Sequence, residues 1–182
     1  MEVVEKHALL DDALAEWSAA LGRDRRRYSG HAYRVFNFSR RILGTSSDDD
    51  VLAAASALHD IGIWSDGTFD YLPPSVARAR EYLARKTAIS VERVTAAIDN
   101  HHVVLPIHGD GLVEAFRLAD SVDVSAGLTR AGLDRAFVRE VYRLFPLQGF
   151  HAMLARTAAA WFVRHPLRPM PMMRWRGAVG PR

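Results

Sequence analysis

Along most of this chain apolar residues recur at spacings of three and four, the period of helices that bury one face. The stretch from Val4 to Leu21 predicts a first amphipathic helix closed by Gly22, and a second runs from about Tyr28 to Leu43 and stops at Gly44. Ser46 or Ser47 is expected to cap a third, with Asp48, Asp49 and Asp50 in its first turn, where carboxylates favour the helix dipole. That helix carries "AAASALHDIGIW". "SDGTFDYLPP" reads as a loop, with Pro73 and Pro74 introducing a fourth helix through "SVARAREYLARK". Ser90 caps a fifth, "VERVTAAIDNHH", which "LPIHGDG" breaks. The sixth, seventh and eighth cover "LVEAFRLADSVDV", "DRAFVREVYRLF" and "FHAMLARTAAAWFVRH". No segment alternates as a strand does, so the expected class is all-α: a helical bundle over residues 1–166 followed by a proline-punctuated tail, 167–182. Met170, Met172, Met173 and Trp175 would each forgo about 1.5–3 kcal/mol if never buried. The tail is therefore expected to dock.

Composition narrows the setting. A chain of 182 residues, 49% hydrophobic and 25% charged, suits one globular domain with a proper core. Cysteine is absent, which excludes disulfides and thiolate metal sites and points to a reducing cytoplasm. No apolar run suits a bilayer, and "MEVVEKHALLDD" lacks a signal-peptide core, so no membrane partner is expected. The net charge of +3 comes almost wholly from arginine, since only Lys6 and Lys86 are lysines. "GRDRRRYSGH" is the densest basic cluster; it reads first as a solvated helix start and second as a phosphate or nucleic-acid contact. No nucleic-acid motif stands beside it, so nucleic acid is not the expected partner.

The chemistry lies in polar residues that interrupt inward faces. Four before Val35 stands His31; four after Ala55 stands His59, followed by Asp60; Val94 and Ile98 lead to His101 and His102; Val113 and Phe116 lead to Asp120, with Asp123 three further on. One such residue alone would be a bonded core histidine or a capping aspartate. Imidazoles and carboxylates converging from four helices instead suit a divalent metal ion. Side chains of successive helical residues differ by about 100°, so His59 and Asp60 can approach one ion only near a helix end. His7, His108 and His165 lack such a setting and are expected at the surface.

At this point the chain resembles the HD-domain metal-dependent phosphohydrolases. The resemblance rests on His31 in "YSGHAYRVFNF", the doublet His59-Asp60 in "ALHDIGIW" and Asp120 in "RLADSVDVS", and spans roughly residues 28–124. It implies an all-α fold and one divalent ion (manganese, iron, nickel, zinc or cobalt) held by His31, His59, Asp60 and Asp120. It also implies a metal-activated water that attacks a phosphate ester of a small molecule, such as a nucleotide, with Asp60 orienting that water. Two-metal branches and di-iron oxygenases of the superfamily add a histidine that "WSDGTFDYLPPSVARAREYLARK" does not contain, so a single ion is expected. "GYP" is also absent, which argues against cyclic-dinucleotide hydrolysis. His101 and His102 are then free to act as general acid or substrate contact. Arg34, one turn after His31, is a candidate phosphate ligand, with an exposed arginine as the alternative. A hydratase of a small nitrile-like molecule is the rival reaction: it would need a closed apolar pocket, where a phosphatase needs a cationic mouth. A non-catalytic binding module is a further rival, and a homodimer remains open.

Overall fold

In a computed structural model, which describes residues 2–86 and 88–176, the protein is all-α. The helices are α1 (Ala8–Glu16), α2 (Ser18–Leu21), α3 (Arg25–Leu43), α4 (Asp49–Leu58), α5 (Gly62–Ser65), α6 (Leu72–Leu83), α7 (Val91–Asn100), α8 (Gly111–Val124), α9 (Arg135–Leu144) and α10 (Phe150–Arg164). None of them is long and apolar enough to cross a membrane.

The long helix α3 runs through the centre and is buried without a break from Gly30 to Ser39. A helix enclosed on every side must satisfy each polar side chain internally, and this one does. Asn37 exchanges hydrogen bonds with the backbone of Val4, at 2.7 and 3.0 Å. Tyr33 donates to Asp11 at 2.7 Å, and Ser39 returns to the carbonyl of Val35 at 2.8 Å. Gly44, in the left-handed region at φ 77°, closes the helix. The alanine-rich α4 is buried from Val51 to Leu58, and its small side chains allow close packing against α1, α3 and α7.

Several expected boundaries moved. Residues 2–7 are not helical, because the backbone of Val4 is held by Asn37. The first helix breaks at Trp17 into α1 and α2. Neither Ser46 nor Ser47 caps α4: Thr45 and Ser47 bond each other, and Asp48 stands at the N-cap, paired with Arg93. Ser90 does cap α7, accepting from the amide of Arg93 at 3.3 Å.

"SDGTFDYLPP" forms the expected loop over residues 66–71, and part of it is buried. Phe69, Tyr71 and Leu72 are buried with Ile63 and Met172 in a second, smaller core. Gly62 makes this possible, since a Cβ there would lie 2.6 Å from the carbonyl oxygen of Tyr71 and 3.0 Å from Pro74. The glycine of "HDIG" is thus the place where the α4–α5 turn meets the start of α6.

The tail docks in part. Met172 is buried, Arg174 pairs with Asp99 at 2.9 Å, and the amide of Val104 donates to the carbonyl of Arg174 at 2.8 Å. Met170, Met173 and Trp175 stay largely exposed. Residues 177–182 lie outside the described residues.

Two stability effects follow. Gly62→Ala is expected to cost about 1–3 kcal/mol through overpacking against backbone, read as a lower denaturation midpoint. Truncation after Arg168 removes Met172 from its cluster and should cost about 1.5–3 kcal/mol. An unchanged midpoint in the truncated chain would show that this contact carries no stability.

Candidate metal centre

The helix end that could let His59 and Asp60 share one ion is present. α4 finishes at Leu58, His59 occupies its C-cap, and Asp60 begins the turn into α5. Tyr28 of α3 fixes the turn by donating to the carbonyl of Ala57 at 3.0 Å and accepting from the amide of Asp60 at 3.3 Å. His31 comes from α3, His101 from the C-cap of α7, and Asp120 and Asp123 from α8. All six of these side chains are buried.

The histidine tautomers follow from the partners. Nδ1 of His59 faces the carbonyl of Ser56 at 3.0 Å, and Nδ1 of His101 faces that of Ile98 at 2.7 Å. A carbonyl only accepts, so both Nδ1 atoms carry the proton. Nδ1 of His31 faces the carboxylate of Asp123 at 2.6 Å and donates to it. In neutral rings each Nε2 is therefore a bare lone pair, and the Nε2 atoms of His31 and His59 lie only 2.9 Å apart. Oδ2 of Asp60 is 3.5 Å from each of them, and Oδ1 of Asp120 lies at 3.7 and 3.8 Å. Nε2 of His101 and Oδ1 of Asp60, 3.4 Å apart, are buried without a hydrogen-bond partner.

Lone pairs and carboxylates packed this closely need a cation among them. Ligands about 2.0–2.2 Å from a common ion stand about 3.0–3.4 Å from one another, close to the spacings observed here. The donor set, imidazole nitrogen and carboxylate oxygen, suits a divalent transition metal. Without an ion the cation is a proton: burial pulls the His31 pKa down, but Asp123 and Asp60 outweigh it and hold it at about 9. His59 is pushed down to about 3 by burial and by its imidazole neighbours. Burial, with Asp60 and Asp123 adding, raises Asp120 to about 6, whereas the surrounding imidazoles keep Asp60 well below the usual carboxylate range despite its burial.

Ligand atoms fall into two groups, each within 4.8 Å, that share Asp60: His31, His59 and Asp60, and Asp60, His101 and His102. Asp120 reaches both, its Oδ2 lying 3.8 Å from Nδ1 of His102. The expectation of a single ion counted a missing histidine. The adjacent pair at the end of α7 forms, with Asp60, a second group of side chains that could hold an ion. His102 is also fixed from behind, since its Nε2 meets the hydroxyl of Tyr71.

Arg34 does not face solvent; its guanidinium is engaged inside the protein. It is fully buried, its Nε and Nη2 bound to both oxygens of Asp123 and its Nη1 to the carbonyls of Phe145 and Pro146 at 3.1 Å. Three residues after His31 it shares that residue's inward face, and the counter-charge waiting there is Asp123. Burial opposes the ionisation of Asp123, but His31 and Arg34 keep its pKa below the ordinary value. Arg78 and Arg85 lie away from the site, on Asp66 with Glu81 and on Glu16. His7 is half-buried, edge-on to Phe36, rather than at the surface.

His151 completes the site and was missed in the sequence, although it stands at the head of an i, i+3, i+4, i+7 stripe with Leu154, Ala155 and Ala158 on α10. It lies in the first turn of α10, donates from Nε2 to the carbonyl of Asp123 at 2.8 Å, and leaves Nδ1 as a buried, unpartnered acceptor. Phe150 beside it stacks on His31, with ring centroids 4.1 Å apart.

A cavity of about 310 Å³ opens onto Asp60, His102, Asp120 and His151, with Tyr71 at its side. Phe69, Leu154, Met170 and Met172 wall it, and among the described residues no arginine or lysine lines it. Comparison with protein-family models, curated proteins and solved structures gave no match for this chain.

Asp123→Asn should cost about 3–5 kcal/mol, because it leaves the Arg34 guanidinium buried without its counter-charge. A urea midpoint shift checks this. The loss in the Arg34→Met, Asp123→Asn double variant should be smaller than the sum of the two single losses.

Proposed function

We propose that the protein is a metal-dependent enzyme that adds water to a small substrate, with His31, His59, Asp60 and Asp120 holding a divalent ion. The observation behind this reading is the locked tautomer set: donors pinned outward on carbonyls and a carboxylate, Nε2 lone pairs aimed together at two carboxylates. A divalent ion in such a place acidifies water and acts as a Lewis acid toward the substrate. The unpaired Oδ1 of Asp60 is placed to orient the attacking water. Tyr71 holds His102, which faces the cavity; burial and the neighbouring His101 push its pKa well below the ordinary value, so its role is that of a substrate contact rather than a general acid. The unpartnered Nδ1 of His151 is an acceptor for the N–H of an amide or for a water held beside an ester or nitrile, and the apolar wall excludes bulk water.

The phosphohydrolase reading rests on the resemblance to HD-domain enzymes. The cavity favours the rival. A phosphate dianion needs guanidinium or ammonium partners besides an ion, and the described lining has none. An uncharged molecule with an apolar body and one polar head, such as a nitrile, amide or neutral ester, fits these walls. The second ligand group around His101 and His102 supports a two-ion variant of the same site. The cysteine-free composition agrees with a cytoplasmic setting.

Purified protein should carry at least one divalent transition metal per chain by elemental analysis, and His59→Ala should lose most of it. Metal-loaded protein should turn over a member of a nitrile, amide and ester panel, and Asp120→Ala should lower the rate by orders of magnitude. Phosphomonoester hydrolysis without such turnover would restore the phosphatase reading, and oxygen uptake coupled to substrate loss would favour a di-iron enzyme. His151→Leu should keep the metal and raise KM more than it lowers kcat.

A further inference from the structure

The basic cluster "GRDRRRYSGH" has no part in the metal cavity, yet two of its arginines face a second one. Helix α10 separates the two. His151, Leu154, Ala155 and Ala158 lie on the face toward the metal cavity. Met153, Arg156, Thr157, Ala160, Trp161 and Arg164 lie on the adjoining face, over a groove of about 430 Å³. Arg23 and Arg27 form the opposite rim, and Trp64 and Phe69 contribute to the walls. Arginines remote in sequence therefore converge on one groove, whose volume falls within the range of small-molecule sites.

Its charge is uncompensated. Asp24 is the one carboxylate in the described lining, and it is already engaged: Oδ2 accepts from the indole N–H of Trp64 at 3.0 Å, and Oδ1 lies 3.3 Å from Nη1 of Arg27. Arg23, Arg156 and Arg164 have no carboxylate partner among the described residues. Elsewhere on the surface such pairs are common: Arg78 with Asp66, Arg93 with Asp48, Arg143 with Glu140. Guanidinium groups crowded into a groove repel one another unless an anion lies between them. Phosphate, which accepts their fork of donors, is the anion they match best.

The walls specify more than a bare anion. Both indole N–H groups are spent inside the protein, that of Trp161 on the carbonyl of Arg168 at 2.9 Å. Trp64 packs against Tyr28 at 4.7 Å and Trp161 against His165 at 3.9 Å between ring centroids, so what they leave for a ligand is the remaining half-buried ring surface at the groove. Guanidinium groups on the rim and indole rings in the wall fit a ligand with a phosphate chain and a planar aromatic ring. We propose that this groove binds a nucleoside di- or triphosphate. The bound nucleotide is not the substrate of the metal site, because α10 and Phe69 stand between the two cavities.

The test is calorimetric titration of the full chain with ATP and GTP, with tripolyphosphate, and with a single-stranded RNA oligomer, alongside tryptophan fluorescence. The expected result is micromolar binding of a nucleoside triphosphate with quenching, unchanged after chelator treatment. The double variant Arg156→Glu, Arg164→Glu should weaken that binding at least about tenfold. Both positions are exposed, so its circular dichroism and metal content should match those of the parent. The proposal is overturned if the nucleotides fail to bind at millimolar concentration or bind the double variant equally well. Equal affinity for tripolyphosphate would refute the ring-binding part, and binding of the RNA oligomer alone would assign the groove to nucleic acid. Binding that disappears with the chelator would place the nucleotide at the metal site instead. Failure of the metal-enzyme reading would leave a chelator-insensitive, arginine-dependent affinity standing.

Discussion

The bond between Arg34 and Asp123 is the constraint on which the rest of the structure turns. Both groups are withdrawn from water, and each would be costly alone. The pair is tolerated because its remaining capacity is used. Arg34 spends Nη1 on the carbonyls of Phe145 and Pro146, and Asp123 spends Oδ2 on His31 as well. Three separate pieces are fixed at once. α3 and α8 are held in register, the link between α9 and α10 is tied to the bundle, and the His31 ring is turned so that its Nε2 points at the doublet. Once that link is tied, α10 begins where Phe150 can stack on His31 and His151 can reach the backbone of Asp123. The floor and the roof of the cavity descend from one ion pair.

That arrangement has an energetic cost the chain does not recover by itself. Three imidazoles and two carboxylates are pressed together in a buried space, with Nε2 of His101 and Oδ1 of Asp60 unsatisfied. In a protein core evolved for stability alone, apolar side chains of similar volume would be as good or better. A proton on His31 compensates part of the charge. A divalent ion held there would compensate more, because it would take up several lone pairs at once and add its binding energy to the stability of the fold.

Much of this was legible in the sequence, and the failures have a common cause. Helical periodicity located the long helices, and polar residues on inward faces picked out His31, His59, Asp60, His101, His102 and Asp120, which the structure brings together. Those readings needed only the position of a residue on its own helix. The errors involved residues whose role is set by a partner far along the chain. Arg34 read as a ligand or a solvated side chain because nothing local shows that Asp123 lies against it. Val4 read as helical because the asparagine that claims its backbone is 33 positions away. Trp17 interrupted a run that was apolar on paper. His151 stands two residues after Gly149 and shares a face with Leu154, Ala155 and Ala158, but what that face meets depends on where the Arg34 carbonyl contacts place α10, so its spacing alone did not tie it to the site. In the tail, four large apolar residues were read alike, yet only Met172 found a cluster to enter.

Helix α10 also separates two kinds of chemistry that a sequence reader would combine. A metal-site resemblance and an arginine-rich segment together suggest a phosphate at the ion. Folding places them on adjoining faces of one helix, with Phe69 common to both cavities. Residues that repeat at i, i+3, i+4 and i+7 share a face, and a shift of two positions moves a side chain well round the helix. Arg156 therefore looks away from the cavity that Leu154 and Ala158 line. Net positive charge on a chain says that anions are attracted. Whether such an anion meets the buried histidine–aspartate cluster is decided by which face of α10 carries the arginines.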